Sequence, residues 1–173
     1  MVRDPRDVFI SGYFYHKKLR TREPWLFEKY EKFNDMGYQE YINTLSLEDG
    51  LIAELELLGD KDKIESFVQW DKWDYNNPRI MELKYEDYIL QDDKFVNIFK
   101  HYGFNEEEIQ RSMNIVRERN LDIVKSNEPN NQFVSIGVPN TWKKYFTPNI
   151  KAEFKKRYDY LLIKLGYEKN TNW

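Results

Sequence analysis

Apolar residues along this chain recur at helical spacing in most segments and at strand spacing in one. Pro5 to about Leu19 carries Phe9, Tyr13 and Phe14, and Asp4 before Pro5 is a capping residue ahead of a first-turn proline. Trp25 to Phe33 reads as a second helix, with Gly37 ending it or breaking the loop that follows. Gly37 to Leu58 holds one or two more. Ser46 and Asp49 have the spacing of a capping box ahead of the run LIAELELL, and Gly59 is a stop signal. Ile64, Phe67, Val68 and the stretch from Trp70 to Trp73 give another helix with a broad apolar face. After the turn signal Asn76-Asn77-Pro78, Arg79 to Tyr85 reads as a strand on Ile80, Met81, Leu83 and Tyr85. Asp92 heads a helix through Phe95, Ile98 and Phe99 to Gly103, and Asn105 with Glu108 opens the next, through Ile109, Met113 and Val116. Residues 127–139 are the richest in loop formers. Thr147-Pro148 starts a final helix through Phe154, Tyr158, Leu161 and Leu165, stopped at Gly166. The pattern by itself predicts an α-rich domain with one clear strand.

Composition narrows the class. A chain of 173 residues buries roughly 70% of its unfolded surface, enough for a core. Aromatic residues at 17% argue against disorder. Cysteine is absent, which removes disulfides and thiolate metal sites. No apolar run approaches the roughly 20 residues of a membrane span, and no signal peptide precedes Arg3, so the expected location is cytoplasmic. The net charge of −3 is unevenly spread: residues 1–22 hold six Lys or Arg against two Asp, a balance of +4, leaving −7 elsewhere. A basic end on an acidic chain suits a small anionic ligand better than a long nucleic acid. For Lys17 and Lys18, a solvated helix face is an equal reading.

The candidate chemistry lies at the same end. A helix starting at Pro5 exposes its first N–H groups and the positive end of its dipole, Arg3 stands just ahead, and Ser11 lies two turns in. Together they form a candidate anion site; an ordinary capped surface helix is the competing reading. His16 and His101 sit at unrelated places, and His16 reads as a surface residue. The acidic clusters Asp92-Asp93 and Glu106 to Glu108 complement the dipoles of helix starts, and no metal is expected there.

Three segments carry a resemblance. The string RDPRDVFIS from Arg3 to Ser11 resembles the 3′-phosphate-binding segment of the PAPS-dependent sulfotransferases, usually R-D/N-P-R/K-D-V-x-x-S. LKYEDYI at Leu83 to Ile89 and GVPNTWKKYFTP at Gly137 to Pro148 match later family segments in the same order. The resemblance implies an α/β fold: the C-terminal portion of a P-loop-like sulfotransferase fold, helix-rich with remnant parallel strands, as one domain over residues 1–173. Of the buried strand that ends at the family's arginine, only Met1 and Val2 are present. The family's 5′-phosphosulfate loop, catalytic lysine and catalytic histidine lie upstream of this point and have no counterpart here. The chain therefore looks N-terminally truncated.

What the resemblance carries over is the nucleotide half. Arg3 would pair with the 3′-phosphate of PAPS or of its product PAP, and Ser11 would donate a hydrogen bond to it. Tyr85 matches the tyrosine that meets the adenine, with a half-buried strand aromatic as the bland reading. Gly137 matches a glycine whose neighbouring backbone N–H groups reach the 3′-phosphate, in the segment R-K-G-x-x-G-x-W-K. Trp142 and Lys143, at that segment's end, look structural. Departures accompany the matches: Ser135-Ile136 replaces the Arg-Lys pair, and Asn140 replaces the second glycine. Where the family often has Ser-Phe against adenine, Asn120-Leu121 stands. The family's dimer motif is half present, with Lys143 and Thr147 fitting and Pro148 and Ala152 not.

The implied reaction is transfer of a sulfuryl group from PAPS to a hydroxyl or amine of a small-molecule acceptor, governed by positioning and electrostatics as in phosphoryl transfer. No catalytic residue is assigned to this chain, whose missing groups would come from an N-terminal segment or a partner chain. The alternative is a non-catalytic remnant that binds nucleotide or another protein.

Overall fold

The Asp4–Pro5 step starts a helix, as its capping chemistry predicts. In the computed structural model of the chain, α1 runs Pro5–Lys18. The structure describes residues 1–18, 23–59, 67–74, 76–77, 80–89, 91–126 and 138–173. The further helices are α2 (Tyr38–Thr44), α3 (Leu47–Leu58), α4 (Phe67–Asp71), α5 (Tyr85–Tyr88), α6 (Phe95–His101), α7 (Glu106–Ser126) and α8 (Pro148–Lys164). Two compact units emerge, the first of Met1–Asp4 and Asp74–Pro139, the second of Pro5–Trp73 and Asn140–Trp173. None of the helices among the described residues is long and apolar enough to cross a membrane.

The core of the second unit follows the helical spacing. Phe9, Ile10 and Tyr13 of α1, Leu51 and Leu55 of α3, and Ile150, Phe154, Tyr158, Leu161 and Leu162 of α8 are buried. α3 packs on both α1 and α8. The α1–α3 contact depends on a missing side chain, because a Cβ at Gly50 would lie 2.8 Å from the Tyr13 ring and hydroxyl. Phe9, Phe146 and Phe154 meet pairwise at 5.4 to 6.0 Å between ring centroids. Leu26, Tyr38 and Ile42 form a further cluster, covered by Trp25, Phe33, Tyr41, Ala53 and Leu57.

Several starts and stops match their sequence signals. Ser46 Oγ accepts the Asp49 N–H ahead of α3, and Thr147 Oγ1 accepts the Ile150 N–H ahead of α8. Asn105 and Glu108 form a reciprocal box, each side chain accepting the other's backbone N–H. Gly103 and Gly166 follow α6 and α8 in the left-handed conformation.

Two expectations fail. Trp25 to Phe33 is not one helix but two 3-10 turns, Pro24–Leu26 and Glu31–Phe33. Between and after them the Tyr30 N–H donates to the Met36 carbonyl, while Asn34 and Asp35 take left-handed backbone at φ 56° and 58°. Asn and Asp tolerate that conformation, so the chain turns back instead of continuing a helix. Gly37 accordingly ends nothing; it is the residue before α2.

The predicted strand also fails to form. Ile80 to Leu83 has no regular structure, Arg79 lies outside the described residues, and Tyr85 already opens α5. Of the remnant parallel sheet, the described residues retain one isolated parallel bridge, Val2 to Lys84. Val2 donates its N–H to the Leu83 carbonyl and accepts the Tyr85 N–H, both at 2.7 Å. The next N–H, of Asp4, goes to Glu86 Oε1 at 2.8 Å, so a side chain replaces the next rung of the ladder. Both segments become helical directly after this pair, which stops a strand from growing.

In the first unit, Tyr88 packs edge-on against Phe95 and Phe99 stacks on Phe104, with Met113 of α7 buried. The helices predicted after Asp92 and Asn105 are present, the former preceded by a 3-10 turn, Asp92–Lys94.

Candidate functional site

The Val2–Lys84 bridge sets the next residue on each segment, Arg3 and Tyr85, beside one another in the first unit. The Arg3 guanidinium carbon lies 4.9 Å from the centre of the Tyr85 ring, a cation–π contact. Both residues are half-buried. A guanidinium on an aromatic face keeps its planar fork of N–H donors, which is the group that matches a phosphate edge.

In the second unit, Ser11 lies half-buried in α1. One turn ahead of it, the Asp7 carboxylate is 1% exposed and accepts two distant backbone N–H groups. Oδ2 takes that of Asn140 at 2.7 Å and Oδ1 that of Trp142 at 2.9 Å. Asn140 has left-handed backbone, φ 65°, and opens the 3-10 turn Thr141–Lys144. Beside it, Arg6 is buried between the rings of Trp142 and Trp173, at 4.1 and 4.7 Å, and bonds Glu168 at 2.6 Å. Of the basic end of the sequence, Arg20 and Arg22 lie outside the described residues, and the described cations of the second unit each have a contact inside that unit. Arg6 is matched inside the fold, Lys17 donates to the Tyr13 hydroxyl at 2.8 Å, and Lys18 lies over the Phe14 ring.

His16 is not a surface residue. Its side chain is 12% exposed, and Nδ1 lies 3.0 Å from both oxygens of Glu54, itself fully buried on α3. Tyr38 donates its hydroxyl to Glu54 Oε2 at 2.8 Å. Burial, with the Glu54 charge adding to it, pushes the Tyr38 phenol far above its ordinary range. Gly12 makes room for this carboxylate, since a Cβ there would meet Glu54 Oε1 at 3.0 Å.

A family model described as the sulfotransferase domain matches residues 1–166. The chain belongs to the sulfotransferase domain family. No curated protein and no solved structure matches it.

With the family known, the four expected nucleotide contacts of this sulfotransferase domain separate. Arg3 and Tyr85 are brought together in the first unit, and Ser11 belongs to the second. Gly137 lies outside the described residues, as do Ser135 and Ile136, and of Asn120 and Leu121 only the backbone is described. Trp142 is structural, sandwiching Arg6, and Thr147 caps α8 while donating to Glu48 at 2.6 Å. Asp92-Asp93 and Glu106 to Glu108 sit at helix starts, and the described residues contain no group of three or more His, Asp or Glu arranged for a metal.

Sequence reasoning missed Asp7 and Glu54. Nothing local marks Asp7, whose partners are 133 and 135 residues away. Glu54 did leave a signal: an acidic residue within the apolar run LIAELELL, three positions after buried Leu51. A carboxylate on the buried face of a helix requires a partner.

Proposed function

We propose that this sulfotransferase-family chain forms the 3′-phosphate and adenine side of a PAPS site, in an enzyme that transfers a sulfuryl group to a hydroxyl or amine. Arg3 grips the 3′-phosphate, Ser11 donates a hydrogen bond to it, Tyr85 meets the adenine, and backbone N–H groups around Gly137 complete the phosphate contacts. The reading includes the P-loop-like parallel fold of the family, for which the parallel register of the Val2–Lys84 bridge is the support. It assigns no catalytic residue to these 173 residues. PAPS when bound supplies the sulfuryl group to the acceptor's hydroxyl or amine, and the base that takes the acceptor's proton and the cation that stabilises the departing phosphate would come from a further segment or a partner chain.

The observation that carries the reading is the Arg3–Tyr85 contact at 4.9 Å. Two residues 82 positions apart, each at a motif position, converge as a phosphate-type cation beside an adenine-type ring. The residues present fit the ligand in kind, with a forked cation, a hydroxyl donor and an aromatic face. Calorimetry tests it. Arg3→Ala should cost about 1.5–3 kcal/mol of adenosine 3′,5′-bisphosphate binding, the range for hydrogen bonds to charged groups. Adenosine 5′-monophosphate, which lacks the 3′-phosphate, should depend little on Arg3. Equal losses for the two ligands would make Arg3 a structural residue and end the assignment.

A further inference from the structure

Residues 167–173 follow the matched domain and lie within the second unit. Gly166, with left-handed backbone at φ 67°, turns the chain back after α8. The Tyr167 and Glu168 N–H groups hold this turn by donating to the Leu162 carbonyl at 2.9 and 3.2 Å. From there the tail returns along α8. The Thr171 carbonyl accepts from the Lys155 ammonium at 2.6 Å, and the Trp173 indole N–H donates to Asp159. From Leu165 back to Lys155 the helix rises about 15 Å, and the tail reaches about 23 Å when fully extended. Extended chain therefore makes up most of its course.

The end of the tail is an anchor. The centre of the Trp173 ring lies 4.7 Å from the Arg6 guanidinium carbon, 4.8 Å from the Lys151 ammonium and 4.9 Å from that of Lys155. Like charges gathered this closely repel, and an aromatic ring shared among them offsets part of that repulsion. The same ring stands edge-on to Trp142 at 5.8 Å and meets Phe146 and Phe154 at 6.3 and 6.2 Å, which extends the aromatic core. A second tail residue, Glu168, pairs with Arg6 at 2.6 Å, and the Arg6 side chain is buried.

We propose that the tail is a strap that closes over the first turn of α1, with Trp173 as its latch. Closed, it supplies Arg6 with a ring face and a carboxylate at once, so the two contacts form and break together. Open, it bares Trp142 beside Arg6, while the core at Leu51, Leu55, Ile150 and Leu161 stays packed. The strap is thus a local opening unit, less stable than the body it covers.

The test is amide hydrogen exchange, followed by NMR on the full chain, for Trp173→Ala, Trp173→Phe and Glu168→Gln. Two pairs of amides are compared. Asn140 and Trp142, whose N–H groups bond Asp7 next to Arg6, report the covered turn. Tyr30 and Tyr41, whose N–H groups bond the Met36 and Gly37 carbonyls, report the region of the Leu26, Tyr38 and Ile42 cluster. Trp173→Ala should speed exchange of the first pair about tenfold or more, and of the second by under about twofold. Trp173→Phe keeps a ring for the cations, and Glu168→Gln keeps the shape without the charge, so each should give a smaller acceleration confined to the first pair. Equal acceleration of both pairs in Trp173→Ala would make the tail part of one cooperative core, and no acceleration would mean that it covers nothing. Either result overturns the strap. Should Trp173→Ala not fold, Glu168→Gln decides by the same comparison: acceleration of the first pair alone supports the strap, and equal or absent acceleration overturns it.

Discussion

Single residues carry more of this fold than their exposed chemistry suggests. Glu54 is a fully buried carboxylate with two protein partners, the His16 imidazole and the Tyr38 hydroxyl. Glu54→Ala removes the carboxylate that both of them meet, and urea unfolding should record a loss of about 2–5 kcal/mol. A loss under 1 kcal/mol would mean that water replaces the carboxylate at no cost, against the burial described. The phenols make a second prediction. Desolvation pushes Tyr158 up to about 12, and Tyr38 moves in the same direction. The Tyr158 hydroxyl donates to the Leu55 carbonyl at 2.6 Å, a bond that ionisation abolishes. In the unfolded chain a tyrosine ionises near pH 10, so the folded state holds these protons to higher pH. Stability is then full below about pH 10 and falls as the pH rises toward 12. Thermal melts across that window should show the fall, and Tyr158→Phe should flatten it.

At the scale of elements, local signals were read well where the chemistry was local. The boxes at Ser46–Asp49 and Asn105–Glu108 and the Thr147-Pro148 start each involve residues three apart, and each appears as hydrogen bonds. The strand at Arg79 to Tyr85 was misread because a strand is decided by its neighbour, and Val2 offers a single bridge before α1 begins. Trp25 to Phe33 was misread because the turn at Asn34-Asp35 overrides its apolar spacing. Helix crossings are equally invisible to periodicity. Gly50 reads as an ordinary residue three positions after a helix start, yet it sets how close α1 comes to α3. Gly50→Ala should therefore destabilise by about 1–3 kcal/mol through overpacking against Tyr13, despite alanine's better helix propensity. A stabilised variant in chemical denaturation would mean that the Tyr13 ring moves aside freely.

For the molecule as a whole, the motif strings proved the most legible part of the sequence, since the sulfotransferase domain match runs over residues 1–166 and takes in all three. The family was readable because motifs store contacts that composition does not. Of the candidate site, Arg3 and Tyr85 were each singled out by such a string, but their contact needed the fold, as did the tie from Asp7 to Asn140 and Trp142, a side-chain-to-backbone contact without a pattern of its own. The departures Ser135-Ile136 fall outside the described residues. The most direct measurement of the central claim is an NMR titration of isotope-labelled 1–173 with adenosine 3′,5′-bisphosphate. The account predicts that the Arg3 guanidinium Nε–H, the Ser11 and Gly137 amides and the Tyr85 ring signals shift together along one saturating curve. Saturable shifts confined to other residues, or no shifts at millimolar ligand, would contradict it.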